Sequence, residues 1–148
     1  MSVTAPFCPW PYDPALLKRC VRDARAARNR AYAPYSRFSV GAALLVDDGR
    51  SVVAGCNVEN ASFGLSICAE RNAVGAMVAD GFRRPLAIAV VGEPGVPCYP
   101  CGACRQYLAE FNIDLLVVVE EGDDLAVIPL RTLLPFPFLF AGVETGHE

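Results

Sequence analysis

The sequence has no run of apolar residues that could cross a membrane. Its richest apolar run, residues 115–119, is far shorter than the ~20 residues that a spanning helix needs. Prolines interrupt the apolar segment LLPFPFLF near the C-terminus. The N-terminus also lacks a basic start followed by an apolar stretch, the pattern of a secretory signal. We therefore expect neither a membrane partner nor a signal peptide.

The chain also lacks a strong excess of basic charge. Its 13 Lys and Arg residues against 16 Asp and Glu residues give a net charge of −3. No basic cluster stands out beyond a helix predicted near residues 18–30. Proteins that bind polynucleotides normally present a basic face. We therefore expect a small, uncharged substrate and no nucleic-acid partner, which disfavours polynucleotide editing.

Cysteine and apolar residues, by contrast, are plentiful. Seven cysteines are an odd number without a secretory context, and in a reducing compartment a cysteine cluster more often binds metal than forms disulfides. This indicates a cytoplasmic protein with a metal site.

Apolar residues make up 53% of the chain, above the roughly 45–50% of an average globular protein. The excess predicts an extra buried surface, such as a subunit interface.

Local signals predict a single α/β domain. Asp13 followed by Pro14 indicates the start of a helix that ends near Arg30, and the turn sequence DDGR between two apolar runs indicates a hairpin. The order of elements predicts a three-layer α-β-α sandwich around a five-stranded mixed sheet. We expect a flexible arm over residues 1–12, the domain over 13–140 and a tail over 141–148. The predicted strands are 38–46, 51–58, 86–91, 115–119 and 125–128, and the later helices are 68–79 and 102–111.

Three cysteines lie at even three-residue intervals in the segment CYPCGAC, residues 98–104. An iron–sulfur cluster would need a fourth thiolate soon after, yet no cysteine follows Cys104. A closed structural zinc site could use Cys68, Cys98, Cys101 and Cys104. A catalytic site would instead use Cys101 and Cys104, one further thiolate and a water. The last arrangement is favoured because Cys68 has suitable neighbours.

Cys68 and Cys101 each lie where a helix is predicted to begin. Free N–H groups and the positive end of the helix dipole stabilise a thiolate there. Glu70, two residues after Cys68, can reach a water on the metal without binding the metal. Arg71, three residues after Cys68, lies on the same side of the helix. Its guanidinium can hydrogen-bond the sulfurs and offset their negative charge.

These segments together resemble a known family. CAER and PCGACRQ are similar to the signature of the zinc deaminases, in which a histidine or cysteine precedes the glutamate by two positions. With AYAPYSRFSVGAALL and GCNVENASFG in the same order, the chain resembles the small homotetrameric cytidine deaminases from about residue 16 to residue 138. The single histidine, His147, lies near the end of the chain, so only an all-cysteine ligand set fits the pattern.

The resemblance implies a hydrolase of pyrimidine salvage. It would convert cytidine or deoxycytidine to uridine or deoxyuridine and release ammonia, with a zinc-activated water attacking C4 and Glu70 moving the proton. It also implies one zinc ion per subunit and a homotetramer. The implied metal ligands are Cys68, Cys101 and Cys104. The implied substrate-binding residues are Phe38, Asn57, Glu59, Ala69 and a neighbour's Phe138. Arg71 and Gln106 would lie next to the metal ligands and support them without binding the metal.

Two alternatives remain open at this point. A blasticidin-type deaminase would use a similar zinc core, although the ribose pair of Asn57 and Glu59 argues against it. A non-catalytic module with a closed structural zinc would leave Glu70 without a role. Simpler interpretations also exist for single residues: Asn57 and Glu59 could form a solvated strand edge, and Phe38 could belong to the core.

The chain departs from the family pattern at three positions. Cys98 is an extra cysteine that we interpret as a loop thiol. Phe63 stands where tyrosine is usual, so a hydrogen bond is expected to be missing there. Asn72 stands where threonine is common. None of these changes affects the predicted ligands or Glu70.

Overall fold

The computed structural model describes residues 8–140. None of the helices in this range combines the length and the apolar character that crossing a membrane requires. The helices are α1 (Pro14–Arg28), α2 (Ala69–Ala79), α3 (Gly102–Phe111) and α4 (Leu130–Leu133). The strands are β1 (Gly41–Val46), β2 (Val52–Cys56), β3 (Pro85–Val91), β4 (Leu116–Glu121) and β5 (Asp124–Pro129), and Phe63–Leu65 form a short 3-10 helix.

The strands form one sheet in the order β2-β1-β3-β4-β5. β3 and β4 are parallel, and every other neighbouring pair in the sheet is antiparallel. The five-stranded mixed sheet predicted from the sequence is therefore confirmed.

The central strand β1 explains why helices cover both faces of the sheet. All six of its residues are buried, and they alternate between two core clusters, as side chains along a strand must. Ala42 and Leu44 contact the cluster that includes α2 and α3, whereas Ala43 and Leu45 contact the cluster that includes α1. This arrangement is the predicted three-layer α-β-α sandwich.

Two glycines bring the helices unusually close to the sheet. A Cβ atom on Gly55 of β2 would lie 2.4 Å from the backbone nitrogen of Ala73 in α2. On the other face, a Cβ atom on Gly41 would lie 1.9 Å from the carbonyl oxygen of Ala24 in α1. Since no side chain fits in either gap, these glycines fix how closely α2 and α1 pack against the sheet.

The strand directions place the starts of α2 and α3 at one edge of the sheet. β2 and β3 are both antiparallel to β1, which lies between them, so they run in the same direction. α2 follows β2 in the chain and α3 follows β3. Both helices therefore begin near the carboxyl ends of their preceding strands, the edge at which α/β sheets commonly bind ligands.

The predicted hairpin is present, but both of its strands are shorter than expected. The apolar runs at residues 38–46 and 51–58 contribute only β1 and β2. Asn57 and Glu59 lie beyond β2, which ends at Cys56, so the simpler interpretation of the pair as a strand edge is wrong. The ladder ends there because the Asn57 side chain bonds to the backbone of the segment that precedes β1.

The other predicted elements agree closely with the structure. α3 has the predicted bounds, and α2 begins one residue later than predicted because Cys68 occupies its N-cap. The side chain of Asp13 accepts a hydrogen bond from Ala15 N–H at 2.8 Å and caps α1. α4 and the 3-10 helix were not predicted, since elements of three or four residues show no periodicity.

The expected flexible arm is packed over residues 8–12. Cys8 N–H donates to the carbonyl of Val127 at 2.9 Å, and the rings of Trp10 and Tyr12 meet edge to face with centroids 5.2 Å apart. All three residues contact the core cluster on the α1 side. The apolar side chains of these residues pack on the core even though prolines lie between them. Residues 1–7 of the arm, and the tail at 141–148 with His147, lie outside the described residues.

Candidate active site

Three cysteine sulfurs meet where α2 and α3 begin. The Sγ atoms of Cys68, Cys101 and Cys104 all lie within 4.8 Å of one another. Cys68 and Cys101 occupy the N-cap positions of α2 and α3, and neither side chain caps its own helix. Cys104 is in the first turn of α3 and is fully buried. The free N–H groups of two helix starts are therefore directed toward one group of sulfurs.

The electrostatics of the cluster favour negative charge on sulfur. The pKa of Cys68 is lowered to about 5, chiefly by the hydrogen bond with Cys104 and also by Arg71 and Cys101, against the opposing effect of partial burial. The same hydrogen bond raises the pKa of Cys104, because its thiol is the donor. A set of three neighbouring sulfurs, with a thiolate already stabilised among them, is a donor set that suits a soft divalent cation such as Zn²⁺.

Arg71 supplies the positive charge expected beside this cluster. Its Nη2 atom lies 4.0 Å from the Sγ atom of Cys68 and donates to the carbonyl of Ser66 at 3.1 Å. Its Nε atom is buried and has no hydrogen-bond partner within the described part of the chain. The guanidinium can therefore offset the charge of several thiolates.

Cys98 does not join the cluster. Among residues 8–140, Cys68, Cys101 and Cys104 form the one group of three or more possible ligand atoms that lie this close together. Cys98 lies instead beside Phe38 and Gly92, since a Cβ atom on Gly92 would be 3.1 Å from its sulfur. Burial raises its pKa to about 11. This geometry supports the loop-thiol interpretation and disfavours a closed four-cysteine site.

Glu70 is a buried carboxyl group in the first turn of α2. It is 4% exposed, and burial raises its pKa, with a further contribution from the negative charge of Cys68. The nearby Cys104 thiol and the Arg71 guanidinium act in the opposite direction and lower this pKa, as expected for a carboxyl group next to the sulfur cluster. A carboxyl group with a raised pKa can accept and return a proton nearer neutral pH than an exposed one.

The side chain of Asn57 fixes the segment that carries Phe38. Its Oδ1 atom accepts from Val40 N–H at 2.8 Å, and its Nδ2 atom donates to the carbonyl of Phe38 at 2.9 Å. Because an amide has a second N–H and a second lone pair, Asn57 retains capacity for a ligand.

Glu59 is held by three donors from the turn at residues 35–36. Its Oε2 atom accepts from Tyr35 N–H at 2.9 Å and from Ser36 N–H at 3.1 Å, and its Oε1 atom accepts from the Ser36 hydroxyl. The Ser36 hydroxyl lowers the pKa of Glu59 most strongly. The carboxylate lines a cavity of about 310 Å³ together with Tyr35, Ser36, Phe63 and Ser66. A solvated strand edge is therefore not its environment.

Phe38 and Ala69 differ in what they can offer a ligand. Phe38 is 43% exposed, so the simple interpretation of it as a core residue is wrong. Ala69 has its methyl group fully buried in the core below the sulfur cluster. It can contact a ligand only through its backbone, whose N–H lies in the first turn of α2.

The family model described as "Cytidine and deoxycytidylate deaminase zinc-binding region" matches residues 15–120. The chain belongs to this family. The matched range contains the sulfur cluster and Glu70, together with Asn57 and Glu59, but ends before the C-terminal phenylalanines. The family resemblance inferred from the sequence motifs is therefore confirmed.

Curated relatives named cytidine deaminase match most of the chain. The relative from Halalkalibacterium halodurans is 56% identical over 120 residues, which cover 80% of this chain and 90% of the relative. The relative from Mycobacterium tuberculosis is 57% identical over 118 residues, covering 78% and 84%. The crystal structure of cytidine deaminase from Burkholderia pseudomallei has a TM-score of 0.76 at 50% identity, covering 82% of this chain and 98% of that one.

The blasticidin-type alternative has weaker support among the relatives. A protein named blasticidin-S deaminase, from Bacillus cereus, is 24% identical over 111 residues, which cover 70% of this chain and 79% of the relative. Its identity is less than half that of the relatives from Halalkalibacterium halodurans and Mycobacterium tuberculosis.

In this family member, Gln106 contacts the C-terminal segment. Its Nε2 atom donates to the carbonyl of Phe138 at 2.7 Å, and Phe138 N–H donates to its Oε1 atom at 2.9 Å. The expectation that Gln106 supports the metal ligands is thus not matched by its hydrogen bonds, both of which join it to the backbone of Phe138. Its link to the cluster is through α3, which carries both Cys104 and Gln106.

Arg105 is a supporting residue that the sequence motifs did not single out. Its Nε atom donates to the carbonyl of Pro100 at 2.8 Å, and its Nη1 atom donates to the carbonyl of Leu133 at 3.0 Å. The residue therefore fixes the loop that leads into Cys101 against the end of α4. Its place in the PCGACRQ segment was the available signal, but nothing in the spacing identified its partners.

We predict that Gly92→Ala destabilises the metal-loaded protein by about 1–3 kcal/mol, the usual effect of overpacking. The added Cβ atom would lie 3.0 Å from Cζ of Phe38 and 3.1 Å from Sγ of Cys98, so both side chains must move. Urea unfolding measures the change. The matched control is Gly75→Ala in α2, where a Cβ atom meets nothing within 4 Å and a gain of up to about 1 kcal/mol is expected. Equal unfolding midpoints for Gly92→Ala and the unmodified protein would contradict the packing of Phe38 against Gly92.

Proposed function

We propose that this protein is a zinc-dependent hydrolase that deaminates cytidine and deoxycytidine to uridine and deoxyuridine and releases ammonia. The observation that carries the proposal is the group of three sulfurs with buried Glu70 at the shared start of α2 and α3. Relatives at 56% and 57% identity that are named cytidine deaminase support it. We further propose a cytoplasmic role in pyrimidine salvage, in keeping with seven cysteines that are all free thiols.

One Zn²⁺ per chain, held by Cys68, Cys101 and Cys104, fits the donor set. When bound, zinc lowers the pKa of a water molecule from ~15.7 to about 7 and so supplies a nucleophile at neutral pH. Three thiolates place more negative charge at the site than one divalent ion neutralises. Arg71 lies within 4.0 Å of the Cys68 sulfur and offsets part of that excess.

Glu70 carries the proton through the reaction. Its carboxylate accepts a proton from the attacking water and delivers it to N3 of the pyrimidine. It then takes the proton of the hydroxyl group now on C4 and passes it to the amine, so that the C4–N bond breaks, ammonia leaves and C4 keeps the oxygen as a carbonyl. Its position beside Cys104 and its raised pKa suit a group that must both take up and release a proton. Its burial keeps bulk water away from the transfer.

The substrate is held by residues from segments that precede α2 in the chain and are hydrogen-bonded to one another. Tyr32 N–H donates to the carbonyl of Asn57 at 3.0 Å, and Val58 and Ile67 exchange two hydrogen bonds of 2.9 Å. We assign the ribose hydroxyls to Asn57 and Glu59, whose remaining donor and acceptor capacity matches a diol. The exposed face of Phe38 packs against the pyrimidine, and the backbone N–H of Ala69 is available to the base.

A homotetramer explains the aromatic C-terminal segment. Phe136, Phe138 and Phe140 are 92%, 71% and 70% exposed in the single chain, while two hydrogen bonds fix the Phe138 backbone to Gln106. This segment therefore does not hide its rings against its own subunit. Exposed apolar patches of this kind mark protein contacts, and we assign Phe138 to the active site of a neighbouring subunit.

We predict one zinc ion per chain, bound by three sulfurs and one oxygen. X-ray absorption on the purified protein measures the ligand set, and metal analysis measures the stoichiometry. Cys101→Ser should reduce zinc content, whereas the control Cys98→Ser should leave it unchanged because Cys98 lies outside the cluster. A spectrum with four sulfurs would support a closed structural site instead.

We predict that Glu70→Gln lowers turnover by at least ~10²-fold, because an amide cannot carry the proton between water, N3 and the amine. Zinc content and the unfolding midpoint should stay close to those of the unmodified protein. Ammonia release from a panel of cytidine, deoxycytidine, cytosine and blasticidin S measures turnover. Near-normal turnover of the variant would remove Glu70 from the mechanism, and release from blasticidin S alone would overturn the proposed substrate.

We predict that deleting residues 135–148 lowers both activity and the stability of the oligomer, because the deletion removes Phe138 and its neighbours. Deleting only residues 141–148 is the matched control, since it retains the contact between Gln106 and Phe138. Light scattering measures the mass, and ammonia release measures activity. A mass near the 15.9 kDa of one chain for a fully active enzyme would contradict this assembly.

A further inference from the structure

We propose that Ser36 is a positioning residue that sets the orientation of the Glu59 carboxylate and couples it to Phe38. The inference rests on the proposed function, because it concerns the residues assigned there to the sugar and the base. Ser36 lies in the turn that precedes β1. Two hydrogen bonds of its hydroxyl and one of its backbone N–H connect it to the proposed substrate site.

The hydroxyl of Ser36 joins the two proposed parts of the substrate site. It donates to Oε1 of Glu59 and accepts from Phe38 N–H at 3.0 Å. The Ser36 backbone N–H donates to the other carboxylate oxygen at 3.1 Å. Ser36 is thus the residue that contacts both Glu59 and the backbone of Phe38, so a change in its hydroxyl affects their relative position.

The turn that carries Ser36 has few other contacts: the ring of Tyr35 meets the ring of Phe63 edge to face with centroids 5.7 Å apart, and Asn57 bonds the backbone that follows the turn. Arg37 has a φ of 59°, a left-handed conformation that non-glycine residues rarely adopt, and its N–H closes the turn on the carbonyl of Ala33 at 3.0 Å. Tyr35, Ser36 and Arg37 are all exposed, so core packing does not fix them. A strained backbone persists only where neighbouring contacts determine it, and the hydrogen bonds of Tyr35 and Ser36 with Glu59 are among those contacts.

The arrangement also restricts how Glu59 can meet a ligand. A carboxylate offers about four lone-pair positions, and Tyr35 N–H, Ser36 N–H and the Ser36 hydroxyl take up three of them. The carboxylate keeps about one free lone-pair position, and it lines the cavity of about 310 Å³. Without the hydroxyl, Oε1 loses its partner and the carboxylate can rotate, which weakens its hold on a sugar hydroxyl without touching the sulfur cluster.

The test compares Ser36→Ala with the unmodified zinc-loaded enzyme on cytidine and on 2′,3′-dideoxycytidine, which lacks the 2′ and 3′ hydroxyls of the sugar. We expect KM for cytidine to rise about tenfold, the effect of losing one hydrogen bond to a charged group, with kcat within about twofold by the same reasoning. The fall in kcat/KM should be smaller for dideoxycytidine than for cytidine, because Asn57 still holds the carbonyl of Phe38. Ser36→Thr should restore KM, and Ser36→Ala should have a smaller effect on cytidine in a Glu59→Ala background than in the unmodified enzyme.

The matched control is Ser51→Ala, which removes a hydroxyl that bonds the carboxylate of Asp48 at 2.5 Å in the hairpin turn. It should leave both substrates unaffected. An equal loss on cytidine and dideoxycytidine, with a lowered unfolding midpoint, would show a purely structural role for Ser36 and overturn the inference. If Ser36→Ala does not fold, Ser36→Gly removes the same hydroxyl and carries the same expectation.

The results also separate this inference from the proposed function. An unmodified enzyme that releases no ammonia from cytidine overturns the proposed function, and the inference with it. An active enzyme in which Glu59→Ala raises KM for cytidine but Ser36→Ala does not overturns the role of Ser36 alone.

Discussion

The structure depends on the meeting of two helix starts at one edge of the sheet. β2 and β3 run in the same direction on either side of β1, so α2 and α3 begin side by side. Each helix start carries unpaired N–H groups that favour negative charge, and here a cysteine occupies each N-cap. Gly55 lets the backbone of α2 approach β2 closely. A side chain at that position would displace Cys68 from the two cysteines of α3.

Burial and charge at this edge act on each other. Sulfurs that share hydrogen bonds stabilise negative charge on Cys68, and that charge adds to the burial that keeps the Glu70 pKa high. Arg71, in the same helix turn, adds to the stabilisation of negative charge on Cys68 and lowers the pKa of Glu70. The balance of these groups, more than any one of them, decides whether Glu70 can exchange a proton near neutral pH.

Much of this arrangement could be predicted from the sequence because it depends on local patterns. The caps and bounds of α2 and α3 follow from hydrophobic spacing and turn residues, and the three clustered cysteines follow from the motifs at those helix starts. The position of Asn57 beyond β2 could not be predicted, since its side chain replaces a strand contact with bonds to a segment 17 and 19 residues away in sequence. The separation of Cys98 from the cluster depends equally on loop geometry that even spacing does not encode.

α3 connects the sulfur cluster to the C-terminal segment. Cys104 points into the core from its first turn, and two residues later Gln106 holds the backbone of Phe138. Between them Arg105 binds the loop before Cys101 to the end of α4. The segment around Phe138 is therefore anchored by its backbone to the helix that carries two of the three sulfurs, while the Phe136, Phe138 and Phe140 rings are exposed. The helix that positions these sulfurs thus also directs aromatic side chains away from its own chain.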